Sequence, residues 1–254
     1  MKRILKYFLI VLFWLGLWWA AAAIVGLPLI LPSPFHVLQK LAQMCTTPIF
    51  WRVMAISSIR VLIGIVASYV LAFVLAIVCH RIKFLYDFFM PAISIIKTTP
   101  VTSFILIAFV LMHRDLIPGL IAALIVFPVV FANTVEGLCA ARPELIETAR
   151  AYNLSFQERI KCIWIPTLRP FMISSAGASV GLAIKAGVAA EVLICPEVSV
   201  GKYIFNAKQN MEYVELFAWT VAIVIFSYLL DILFKLILKR VRRNTRKEAV
   251  AYED

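Results

Sequence analysis

Several ionisable side chains interrupt long apolar stretches of this sequence, where a charge is costly; among them are Arg60, Lys97, Lys185, Glu191 and Asp231. Lys97, Lys185 and Glu191 all lie within such stretches, and a charged residue at the centre of a membrane helix costs roughly 2.5–3.5 kcal/mol on insertion scales. Residues in these positions mark solute pathways by default. We therefore expect Lys97 and Lys185 to favour an anionic solute, with Thr98, Thr99 and Glu191 on the same pathway. The alternatives are an internal ion pair, such as Lys185 with Glu191, and snorkelling to the interface.

Lys185 also belongs to a line of small residues. Gly177, Gly181, Lys185 and Ala189 recur every four residues, which places them on one face of a helix. Small residues allow membrane helices to approach closely. We expect this face to pack against other helices and avoid lipid, so that Lys185 faces protein or a pore.

The sequence lacks the residue patterns of ATP hydrolysis, metal binding and nucleophilic catalysis. A phosphate-binding loop needs G-x-x-x-x-G-K-[ST], and the nearest approach, at Gly201-Lys202, has Pro196 in place of the first Gly and Tyr203 in place of the hydroxyl. Histidines and cysteines show no metal-ligand spacing, and no catalytic triad stands out. The net charge of +11 comes mainly from residues beside apolar runs, which does not indicate nucleic-acid binding. We expect no cofactor, metal or catalytic residue.

The elements that must hold these residues are membrane helices. The chain is 63% hydrophobic with a mean hydropathy of +0.95, far above soluble domains. A bilayer core of about 30 Å needs roughly 20 apolar residues of helix. Six stretches qualify: Tyr7–Val25, Ile56–Val78, Phe88–Met112, Leu116–Val135, Phe171–Leu193 and Val214–Leu238.

Orientation follows from the lysines and arginines in the loops. Seventeen lie in segments 1–6, 79–87, 136–170 and 235–254, against five in the opposite loops. Cytoplasmic loops carry the excess of positive charge, so we expect both termini in the cytoplasm, with the chain crossing the membrane several times. The first apolar stretch, followed by Ala20–Ala23, could instead be a cleaved signal peptide.

The loop 136–169 carries helix signals of its own. Pro143 and Glu144 suit the first turn of a helix, which we expect to run to about Tyr152. Asn153 suits a left-handed helix end. Ser155 to Glu158 reads S-x-x-E, a capping box that opens a second helix, which we expect to end before Pro166.

At this loop, "ETARAYNLSFQERIKCIWIP" resembles the cytoplasmic signature of bacterial ABC importer permeases. That signature reads E-A-A, three residues, Gly, nine residues, then I-x-L-P. Glu147 and Ala149 match its start, Asn153 stands at the Gly, and Ile163 and Pro166 match its end. The stretches "LPSPFHVLQKL" and "GVAAEVL" resemble the sulfonate, taurine and nitrate branch.

The resemblance implies an all-α, six-helix permease of the type I importer fold, with residues 1–254 as one transmembrane domain, a coupling loop at 136–169 and a basic cytoplasmic tail at 239–254. It implies a solute pathway coupled to a partner ATPase dimer, a second permease copy that forms a homodimer, and an external solute-binding protein. The expected solute is a small anion such as a sulfonate, taurine or nitrate. The residues expected to couple to the ATPase are Glu147, Ala149, Tyr152, Asn153, Leu154, Phe156, Ile163 and Pro166.

Alternatives to this function stay open. One is a permease for a vitamin or vitamin precursor, of the thiamine-pyrimidine or riboflavin type. Another is the transmembrane coupling subunit of an energy-coupling-factor importer, although that class uses Ala-Arg-Gly motifs and here Pro143 follows Ala141-Arg142. The polar residues of the loop could also be an ordinary solvated face. Tyr152, Leu154 and Phe156 favour docking, because they place apolar bulk at an exposed turn.

Overall fold

The structure is a computed structural model that describes residues 2–27 and 29–250, with side chains for residues 5–6, 9–27, 29–233 and 236. Within these residues the regular structure is helical and no strand is present, which confirms the predicted all-α fold. The helices in chain order are α1 (Lys2–Val25), α2 (Pro34–Cys45), α3 (Pro48–Arg81), α4 (Lys83–Thr98), α5 (Val101–Leu111), α6 (Ile117–Cys139), α7 (Pro143–Ala151), α8 (Phe156–Arg159), a π-helical turn (Ile160–Trp164), α9 (Ile165–Ile194), α10 (Val200–Gln209) and α11 (Tyr213–Val250).

Four helices of the described chain are long and apolar enough to cross a bilayer. They are α3, α6, the continuous helix Phe156–Ile194 and the Tyr213–Leu233 part of α11. The pair α4 and α5 also passes this test together, but it is bent by 104° at a short break. The apolar part of α1, Leu9–Val25, is shorter. All six predicted stretches are therefore helical, but the third is two helices and not the single span that we expected.

The chain forms two compact units. The first comprises residues 1–57 and 191–226, and the second comprises residues 58–190 and 227–254. The single permease domain expected over 1–254 stays a prediction. The expected basic tail, 239–254, lies outside the described side chains.

Aromatic rings fill the core of the first unit. The Trp219 ring of α11 is buried, with its centroid 5.2 Å from that of Phe50 in α3 and 5.0 Å from that of Tyr203 in α10. Val37, on the buried side of α2, packs into the same cluster. Lys40 Nζ of α2 lies 3.0 Å from Glu215 Oε2 of α11. These contacts join α2, α3, α10 and α11 within this unit.

Close contacts between small and polar residues organise the second unit. A Cβ at Gly64 of α3 would overlap the carbonyl of Gly119 in α6, so the two backbones approach as closely as glycine allows. Ser68 Oγ of α3 donates to the Ala123 carbonyl of α6 at 2.9 Å. Tyr69 Oη of α3 lies 3.2 Å from the buried Ser175 Oγ of α9. The helices α3, α6 and α9 are thereby held in a fixed arrangement.

Candidate coupling segment and solute pathway

The helix α7 begins as its sequence predicts. Arg142 precedes it in extended conformation and Pro143 takes the first helical position, where its missing N–H costs no hydrogen bond. Glu144 lies in the first turn, where a carboxylate meets the positive end of the helix dipole. The helix ends at Ala151, one residue before the expected end at Tyr152.

The turn after α7 is closed by two backbone hydrogen bonds. Asn153 has a φ of 49°, which confirms the left-handed conformation expected for it. The Leu154 N–H donates to the Ala149 carbonyl at 3.0 Å, and the Asn153 N–H donates to the Arg150 carbonyl at 3.0 Å. This pair of bonds is the Schellman arrangement, which satisfies carbonyls at a helix end. The turn is therefore a defined structure and not a slack loop.

The predicted capping box is present at the start of α8. The Ser155 N–H donates to Glu158 Oε2 at 2.7 Å, and the Glu158 N–H donates to Ser155 Oγ at 3.4 Å. Arg159 Nε donates to the Leu154 carbonyl at 2.9 Å, which ties α8 back to the turn. Side-chain and backbone bonds thus fix the angle at which α8 leaves the turn.

The second helix does not end before Pro166, and this prediction was wrong. The chain passes from α8 through the π-helical turn into α9, and the Ile165 N–H donates to the Ile160 carbonyl five residues earlier. In an ordinary α-helix, proline lacks the N–H and collides with the carbonyl four residues before it. That carbonyl belongs to Cys162, inside the wider π turn, which relieves the conflict. One unbroken helix therefore runs over Phe156–Ile194.

The eight residues expected to couple to the ATPase divide between surface and interior. Tyr152 is 77% exposed and Phe156 is 66% exposed. Leu154 is half-buried, so it is not the exposed anchor that we expected. The other exposed members are Glu147, Asn153 and Pro166, and the buried members are Ala149 and Ile163. Of the three predicted anchors, only Tyr152 and Phe156 are exposed, and we refer to these two side chains as the exposed knob.

The bend between α4 and α5 contains the first group of pathway residues. Thr98 Oγ1 donates to the Ser94 carbonyl at 3.0 Å, and Thr99 Oγ1 donates to the Ile95 carbonyl at 2.7 Å. These bonds turn both hydroxyl donors back onto α4. Lys97 is exposed at the same bend. The Lys97 ammonium is thus exposed at this bend, whereas both threonine hydroxyls are bonded to α4.

The small-residue face of α9 is not covered by another helix of the described chain. A Cβ added at Gly177 or Gly181 would meet no atom within 4 Å, and Lys185 and Ala189 are exposed. The expectation that this face packs against other helices therefore stays a prediction, which no helix of the described part of this chain fulfils. The face is an open strip with Lys185 as its charged member.

Glu191 lies in the interior of the first unit, and its place on the solute pathway stays a prediction. Its side chain is 0% exposed, and its Oε2 accepts hydrogen bonds from Ser57 Oγ at 2.8 Å and from the Gly201 N–H at 3.3 Å. Ser57 Oγ also accepts from the Val200 N–H at 3.0 Å. Lys185 is six residues earlier, about 240° around the helix, and is exposed. This geometry does not support the alternative ion pair between the two.

Comparison with known proteins decides the family. Residues 64–247 match the family described as the binding-protein-dependent transport system inner membrane component. The chain belongs to this family. It is a permease component of the ABC importers, the membrane subunits through which these transporters import solutes.

Two relatives of this permease have described solutes. The nitrate import permease protein of Synechocystis sp. is 26% identical over 212 residues, covering 79% of this chain and 76% of that protein. The osmoprotectant import permease protein of Salmonella typhimurium is 25% identical over 161 residues, covering 63% of this chain and 67% of that protein.

Several polar contacts of this permease were not predicted from the sequence. Arg60 of α3 forms an ion pair with Asp115, in the connection before α6. Tyr69 contacts both Ser175 and Ser179 of α9, which are fully buried. Hydroxyl residues within apolar spans are the signal that could have indicated such interhelical bonds. Their partners lie on other helices, so the pattern alone does not pair them.

Proposed function

We propose that this permease forms the solute pathway of an importer and receives the motion of a separate ATPase at the turn between α7 and α8. The observation that supports this most is the unbroken helix Phe156–Ile194. Phe156 stands at its first residue, and Lys185 lies 29 residues later, about 44 Å along the axis at 1.5 Å per residue. A push on the turn would therefore reach the lysine-bearing strip along one continuous helix.

The exposed knob, Tyr152 and Phe156, is the proposed docking surface for the ATPase. Tyr152 and Phe156 project from a turn that two backbone bonds and a capping box fix in place. Rigid support of this kind reduces the entropy cost of docking. Aromatic anchors in a partner's pocket commonly dominate the binding energy. Glu147 is exposed on α7 and supplies polar surface beside them.

The solute is a small molecule or ion with an anionic group, such as nitrate, a sulfonate or taurine. Lys97 at the bend and Lys185 on the open strip are both exposed cations in a chain of membrane helices, where a charge needs a functional reason. The nitrate import permease among the relatives supports the same class. The relative named an osmoprotectant import permease makes an osmoprotectant the second candidate.

The complete transporter comprises further chains. A second copy of the permease would cover the strip of Gly177, Gly181 and Ala189, which contacts no other helix within the described chain. An ATPase dimer would bind at the cytoplasmic side, and a solute-binding protein would deliver the solute from outside. The permease would lie in the bacterial inner membrane with both termini in the cytoplasm, as the charge asymmetry indicates.

The test is uptake by proteoliposomes that contain the permease, its ATPase and its binding protein. We expect ATP-dependent uptake of nitrate or radiolabelled taurine, a clear fall in Lys185→Met, and normal assembly of the complex. Lys83→Met is the control, because Lys83 is also exposed but lies outside both candidate sites. Normal uptake by Lys185→Met would remove this residue from the pathway. Uptake of glycine betaine and not of anions would favour the second candidate.

A further inference from the structure

An apolar cavity lies at the basic end of α3, beside the π-helical turn. Its volume is about 240 Å³, and its wall includes Ile77, Leu138, Trp164 and Leu168. His80 and Arg81 line the same cavity and are exposed. The cavity therefore has an apolar interior with a cationic rim.

This cavity continues as an open groove between α3 and α9. The groove has a volume of about 390 Å³ and shares Phe73, Ile165 and Leu168 with the cavity. It extends to Tyr69 and Met172. From Tyr69 to Arg81 the groove follows twelve residues of α3, about 18 Å at 1.5 Å per residue. That length is slightly more than half of a hydrocarbon core of about 30 Å, and so corresponds to one leaflet.

Two further observations concern the polarity of the groove. None of the residues that line it is acidic, so no carboxylate in its wall neutralises the cationic rim. Arg169 also lines it, and its Nε is buried without a hydrogen-bond acceptor among the described residues. A buried N–H donor of a charged group is costly to leave unpaired. Arg169 is thus a second cation of the groove, away from the rim.

We propose that this groove binds an anionic phospholipid. The acyl chain lies along Phe73, Leu168 and Met172, and the phosphate is held at the rim by Arg81 and His80. Basic pockets between membrane helices on the cytoplasmic side bind anionic headgroups, and the predicted orientation places this rim on that side. A lipid fits the groove better than a protein segment, because its charged headgroup matches the exposed Arg81 at one end and its acyl chain matches Phe73, Leu168 and Met172.

The experiment measures lipid retained by the full-length permease. The protein is purified in mild detergent, stripped of lipid, and incubated with equal amounts of phosphatidylglycerol and phosphatidylcholine that carry the same acyl chains. Native mass spectrometry then gives the ratio of the two bound lipids. The variants are Arg81→Gln, which removes a rim charge, and Val70→Trp, which narrows the groove. The control is Lys83→Gln, a nearby exposed lysine that does not line the groove.

We expect the wild type to prefer phosphatidylglycerol and Arg81→Gln to reduce that preference about fivefold, since one basic residue near a lipid surface contributes about 1 kcal/mol. Val70→Trp should reduce retention of both lipids, and Lys83→Gln should match the wild type. An unchanged preference in Arg81→Gln, at a melting temperature equal to the wild type, would overturn the proposal. Displacement of the lipid by the ATPase or by a second permease copy would also overturn it, because the groove would then be a protein interface.

Discussion

Replacing Tyr152 and Phe156 together by alanine tests the coupling turn most directly. Both rings are largely exposed, at 77% and 66%, although Phe156 also lines the edge of the cavity beside the π-helical turn. We therefore expect their removal to take little from the folded chain itself. Exposed substitutions usually change stability by less than about 0.5 kcal/mol. Leu154 is kept, because its side chain is half-buried and its removal would also change packing within the permease itself.

The expected effect on binding of the ATPase is large. Truncating an aromatic anchor that fills a partner's pocket costs about 2 kcal/mol or more. Two such anchors would cost about 4 kcal/mol if their effects add, which is close to a thousandfold in Kd at 1.4 kcal/mol per tenfold. An anchor on the rim of an interface would cost almost nothing. The measurement therefore separates a docked knob from a solvated surface by orders of magnitude.

The assay is co-purification of the permease with its ATPase, followed by ATP-dependent transport in proteoliposomes. The matched control is Phe84→Ala, since Phe84 is 73% exposed at the start of α4 and lies outside the coupling segment. We expect the double variant to lose the ATPase, or to keep it with hydrolysis uncoupled from transport, while Phe84→Ala behaves as the wild type. If the double variant binds the ATPase and transports normally, the turn is ordinary solvated surface.

Three other predictions follow from the same structure and sequence. Asn153→Gly should transport normally and melt at or slightly above the wild-type temperature, because glycine adopts the left-handed conformation without a Cβ penalty; a clear loss of stability would contradict the role given to this turn. Ser57→Ala removes both hydrogen bonds of the Ser57 hydroxyl and should destabilise the first unit by about 1–3 kcal/mol. Faster amide hydrogen exchange across α10 would show this loss. Ser174 is exposed, so Ser174→Ala is the control and should exchange at the wild-type rate. A cysteine at Asn206 should react with an impermeant thiol reagent in whole cells and one at Asn244 should not; the reverse labelling would overturn the predicted orientation.

The sequence alone predicted the features that depend on neighbours a few residues apart. Apolar length indicated the membrane helices, since a helix satisfies its own backbone within the bilayer. The capping box at Ser155 and the left-handed Asn153 were predicted correctly, because their hydrogen bonds reach no further than five residues along the chain. The loop signature also pointed to the family that the match over residues 64–247 established.

Tertiary structure decided the features that depend on distant partners or on the course of the backbone. Ser57 and Glu191 are 134 residues apart, and only folding brings them together, so burial of Glu191 could not be inferred from its place in an apolar stretch. Helices usually end before a proline, so the sequence predicted a helix end before Pro166. In the structure a single π-helical turn precedes Pro166 and the helix continues beyond it. The four-residue spacing along α9 puts Gly177, Gly181 and Lys185 on one face, and whether another helix covers that face depends on packing. Local bonds select helices and turns, whereas the long-range fit of side chains determines which of their faces are buried.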